Sequence, residues 1–119
     1  MKWNGRRVRQ TWDTYRKRYF LDGERVPPLS HEVRWIWLPT SSPDLGETTW
    51  DDDNQVCDVA LNSGLLLWPD LLKITLLHEL THCRLGPGVQ CPSMGKRKRM
   101  TAVWRKEQER LAALGAPLL

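Results

Sequence analysis

Cysteine is scarce in this chain: 119 residues contain three, Cys57, Cys83 and Cys91, an odd number with no CxxC pair among them. That excludes a disulfide framework and a separate zinc ribbon, and it predicts reduced thiols in a cytosolic compartment. A long apolar run is also lacking. The greasiest region, residues 65–80, is interrupted by Pro69, Asp70, Lys73 and His78, which excludes a spanning helix and a membrane partner. The first five residues lead into an arginine-rich stretch with no apolar core, so no secretory signal is expected and the predicted location is cytoplasmic. Internal repeats and low-complexity segments are missing too. The acidic run Asp51, Asp52, Asp53 has neither the sixth-position Gly nor the twelfth-position Glu of an EF-hand, and reads as a turn. What remains is a length suited to one domain, 1–119, able to bury a core without disulfide support.

Histidine is as rare as cysteine, yet two of the three fall in one short segment, His78-Glu79-Leu80-Thr81-His82. On a helix these histidines stand i and i+4, roughly 6 Å apart on one face, so both imidazoles reach a single ion. Zn2+ is the expected cofactor. Glu79 lies at the edge of that face, placed to take a proton from metal-bound water rather than to bind the metal. This chemistry suits hydrolysis of a peptide bond. Leu71, Leu72, Ile74, Leu76, Leu77 and Leu80 surround the motif on several sides, as in a core helix. Pro69 and Asp70 supply a start and Gly86-Pro87-Gly88 a stop, which predicts a helix over 69–85.

Elsewhere the spacing is equally readable. Val8, Trp12, Tyr15 and Tyr19 recur at i, i+4, i+7 and i+11, predicting an amphipathic helix over 6–20 whose aromatic stripe is core. Residues 33–38 alternate as a strand, with Val33, Trp35 and Trp37 on one face. A second strand is predicted over 47–50 and a third over 56–61. Two successive hairpins would make a three-stranded antiparallel meander. Residues 86–99 read as a loop, and Met100, Val103, Trp104, Glu107, Leu111 and Leu114 share one face of a closing helix over 100–114. The fold class is therefore α+β.

This order resembles the SprT-like zinc metallopeptidases, the Spartan-related family. The resemblance rests on residues 75–82, Thr-Leu-Leu-His-Glu-Leu-Thr-His, which look like the family's active-site helix. It rests also on Leu45-Gly46 with Thr48, on Val59-Ala60-Leu61-Asn62 with Leu65, and on residues 110–115 as the end of its last helix. It covers about residues 10–116. It implies a small zincin-like domain with His78 and His82 as metal ligands, Glu79 as catalytic base, and a protein or peptide substrate.

One position departs from the family pattern. The third ligand is usually the His of an HGxxF sequence opening the last helix; here Trp104 falls at the Phe position, and Met100-Thr101 stand where His-Gly would be. A thioether suits Cu(I) far better than Zn2+. The candidate replacement is Glu107, which requires the final helix to slide relative to the family's; Cys91 and His31 are the others. A two-histidine site is the remaining alternative.

The charge balance, 18 Lys and Arg against 14 Asp and Glu, is uneven. Basic residues gather at Arg6, Arg7, Arg9, Arg16, Lys17 and Arg18, and again at Lys96, Arg97, Lys98 and Arg99. Such clusters attract polyanions and make DNA a candidate partner, with solvated faces as the plainer explanation. Two functions are therefore expected: a zinc metallopeptidase, with DNA-associated proteins as candidate substrates, or a catalytically weak or inactive SprT-like module that binds nucleic acid or protein.

Overall fold

The structure is a computed structural model that describes residues 4–20, 32–51, 53–86 and 102–118. His31, Cys91, Met100 and the basic cluster at 96–99 lie outside the described residues. Helix α1 (Gly5–Tyr15) starts at Asn4, whose side-chain oxygen accepts from the Arg7 N–H at 2.9 Å and satisfies one of the amides that a helix start leaves unpaired. It continues as a π turn over Arg16–Phe20. The wider turn adds a residue per repeat, so Tyr19 and Phe20 both reach the interior beside Val8, Trp12 and Tyr15.

Strands β1 (Glu32–Leu38), β2 (Gly46–Asp51) and β3 (Val56–Asn62) form one sheet in the order β1-β3-β2. β2 and β3 make the expected antiparallel hairpin around a turn where Asn54 donates to Asp51. β1 does not follow the expected antiparallel meander: it pairs with β3 in parallel, Val33 opposite Cys57 and Trp35 opposite Val59. The sheet is mixed. The physical reason lies in β3, which is buried along almost its whole length and so takes the central position, where both its edges and both its faces are covered. Asn62 makes this arrangement workable. Its amide donates to the carbonyls of Ser42 and Asp44 at 3.2 and 3.1 Å, and its oxygen accepts from Gly64 N–H at 2.9 Å. The β1–β2 connection is thereby tied down while β2 skips over the place that β3 later fills.

A 3-10 turn (Ser63–Leu67) leads into α2 (Pro69–Leu85), which has the bounds its sequence signals predict. Pro69 fills the first turn, where an N–H would have no partner, and Gly86 closes the helix at φ 87°, with its N–H donating to His82 O at 2.9 Å. Helix α3 (Ala102–Ala113) buries Trp104, Glu107 and Leu111, but Val103 and Leu114, expected on the same inner face, are exposed. The core joins the α1 stripe to Leu72, Leu76, Leu77 and Leu80 of α2 and to Val59 and Leu61 of β3. Each fully buried leucine contributes about 2 kcal/mol through removal of its surface from water.

Cys57 on β3 and Cys83 on α2 are joined as a disulfide, with Cα atoms 6.1 Å apart. This corrects the expectation of reduced thiols, and with it the cysteine argument for a cytosolic compartment. The two residues lie 26 positions apart, and only the packing of α2 across the central strand brings them to bonding distance. Among the described residues no helix is long and apolar enough to cross a membrane.

Candidate metal centre

Helix α2 presents His78 and His82 to one neighbour and Glu79 to another. His78 and His82, one turn apart, turn toward α3, with ring centroids 5.1 Å from each other. Trp104 packs on both, at 4.9 Å from His78 and 4.6 Å from His82. The indole is tilted 35° to the His82 ring and 59° to the His78 ring. Burial holds both imidazoles neutral: His78 lies below its usual range, and His82 is held down to about 4 by burial and then by the neighbouring His78. Neutral imidazole is the form that binds a metal.

Glu79, about 100° round the helix from His78, lies against β2 and is only 6 % exposed. Thr48 Oγ1 donates to Glu79 Oε2 at 2.5 Å and lies 3.2 Å from the Glu79 backbone carbonyl. Burial raises the carboxyl pKa to about 7; the Thr48 bond works against that rise, and the carboxylates of Glu47 and Asp44 add slightly to it. A group so poised accepts and releases a proton near neutral pH. Gly46 makes room for it. A Cβ there would meet Glu79 Cγ at 2.9 Å and Oε1 at 3.0 Å.

The donor set is incomplete among the described residues. Glu107 is buried, but its carboxylate is gripped by the Arg110 guanidinium of its own helix, with Nε to Oε1 at 2.7 Å. No group of three His, Cys, Asp or Glu residues that could hold a metal occurs among the described residues. His31 and Cys91 fall outside them, as do Lys96, Arg97, Lys98 and Arg99. Of the residues singled out from sequence, His78, His82 and Glu79 lie on one helix, and Glu107 is not brought into a three-donor group with them.

Two contacts of the site were not anticipated from sequence. Trp104 was placed on the correct face of α3 by its spacing, but nothing in that spacing shows that the face meets two imidazoles. Thr48 and Gly46 alternate on β2 with exposed Glu47 and Thr49, which marks the inward face without naming what it touches. Away from the motif, a groove of about 660 Å3 along α1 is lined by Arg6, Arg7, Gln10, Thr14 and, from α2, Lys73. No protein-family model, no curated protein and no solved structure matches this chain.

Proposed function

We propose that the protein is a zinc-dependent metallopeptidase in which His78 and His82 hold the metal and Glu79 is the general base. The observation that carries this reading is the pairing of two neutral imidazoles one turn apart with a buried carboxyl whose proton affinity lies near neutrality. The likeness of residues 75–82 to the SprT-like active-site helix supports it. Zinc, when bound, would polarise a scissile carbonyl and acidify a water. The chain's own part is to hold the remaining elements. Glu79 takes the proton, β2 fixes its carboxylate, and the packed leucines of α2 keep the helix from shifting. Among the described residues β2 is an edge strand of the sheet, so its outer side offers backbone groups to which an extended peptide can pair beside the site. With Glu107 engaged by Arg110, the other metal positions fall to water or to donors outside the described residues, Cys91 and His31 being the named candidates.

Purified protein should carry stoichiometric zinc and cleave casein, and Glu79→Gln should keep the zinc while lowering kcat by at least about a hundredfold. Zinc content that is unchanged by His78→Ala and His82→Ala would remove these two residues from the site.

A second reading is a weakly active or inactive SprT-like module that binds nucleic acid. Two observations favour it: the absence of a third donor among the described residues, and the groove of Arg6, Arg7 and Lys73. It requires oligonucleotide binding that weakens steeply with salt, and a lack of affinity at low ionic strength would dispose of it.

A further inference from the structure

We infer that Thr48 is a positioning residue for Glu79, and that Gly46 is the gap in β2 that lets the carboxyl reach it. This rests on the metallopeptidase reading and names two residues of that site beyond the motif. A glutamate side chain on a helix has three rotatable bonds, and a base that wanders among rotamers is seldom within reach of its proton. Here the wandering is stopped from both ends. Thr48 Oγ1 lies 2.5 Å from Oε2, and the same oxygen lies 3.2 Å from the backbone carbonyl of Glu79, so one hydroxyl locates both the side chain and the helix turn that carries it. On the other side, the site of a Cβ on Gly46 is 2.9 Å from Cγ, 3.0 Å from Oε1 and 3.0 Å from Thr75 Cγ2. Any larger residue at 46 would push the carboxyl off its place.

The alternation of β2 puts Gly46 and Thr48 on the same inward face, one either side of exposed Glu47. Gly46 is opposite Leu61 and Thr48 opposite Val59, so both positions are fixed by pairing with the central strand. The carboxyl is thus referenced to the sheet rather than to its own helix alone. Of its two oxygens, Oε2 is the one held by Thr48. Under the metallopeptidase reading, proton exchange with a reacting water then falls to Oε1, the oxygen beside Gly46.

The test combines kinetics with a double-mutant cycle. With zinc-loaded protein, Thr48→Val should lower kcat by about ten- to a hundredfold at nearly constant KM, Thr48→Ser should restore most of it, and Thr49→Val, on the exposed face, should have no effect. Gly46→Ala should lower kcat in the same way. With metal-free protein, the shift in urea midpoint caused by Thr48→Val should largely vanish in a Glu79→Ala background. Hydrolysis that depends on Glu79 but is indifferent to Thr48→Val overturns the inference alone. Midpoint shifts that simply add overturn it as well, since Thr48 would then act elsewhere. Coupled midpoints without any Glu79-dependent hydrolysis would end both the metallopeptidase reading and the positioning role, and reduce the contact to a fold clamp.

Discussion

Two neighbouring side chains give the metal-free protein opposite responses to pH. The Glu79 carboxyl, ordinarily near 4.5, is raised to about 7. Between those values the folded protein keeps a proton that the unfolded chain has released, so this residue makes stability fall as pH rises. His82 is held down to about 4 from 6.5, so the unfolded chain binds a proton that the folded one refuses, and stability rises with pH over that window. Between about pH 4.5 and 6.5 the two slopes oppose each other. His78 is also held below its ordinary value and adds to the slope of His82, so we predict a shallow rise there for the wild type and a steeper one for Glu79→Gln. The variant should also exceed the wild type by about 3 kcal/mol at pH 8 and lose that advantage near pH 4.5. Urea unfolding of chelator-treated protein at several pH values measures this, and an advantage independent of pH would contradict it. At this scale the sequence was readable only in part. The five-residue motif names His78, Glu79 and His82, but Thr48 lies 31 positions from Glu79 and Trp104 lies 22 from His82, and no local spacing announces contacts of that range.

Among the elements, α2 was the most legible because its limits are local chemistry: a proline where an N–H has no partner, and a glycine at positive φ where the helix stops. The aromatic stripe of α1 was legible for a similar reason, since helical spacing alone decides which residues share a face. Strand order was not. Alternation says which side of a strand turns inward, but it does not say which strand lies next to which, and the nearly continuous burial of β3 was the one sign that it is central. The Cys57–Cys83 bond was hidden in the same way, since it depends on how α2 crosses β3. Closing a loop of that length restrains the unfolded chain by about 3.5 kcal/mol on the chain-entropy estimate. Replacing both residues with alanine should lower unfolding stability by a comparable amount in urea. A loss below about 1 kcal/mol would mean that the packing of α2 on the sheet suffices without the crosslink.

For the whole molecule, the proposed zinc site would link metal binding to folding. A ligand that binds only the folded state stabilises it by about 2.7 kcal/mol at a free concentration one hundred times its Kd. Zinc should therefore raise the thermal midpoint of the wild type and leave a His78→Ala, His82→Ala variant unmoved. A rise of equal size in that variant would locate the binding elsewhere. The parallel pairing of β1 has a kinetic counterpart. β2 and β3 are joined by a short turn and can zip from it, but β1 has to wait beside an unfinished sheet until the strand two places later in the chain has arrived. We therefore predict that β1 docks last and peels away first. In native-state hydrogen exchange its amides should open at lower free energy than those of the β2–β3 ladder, leaving the hairpin and the helix above it as the slowest-exchanging part of the protein.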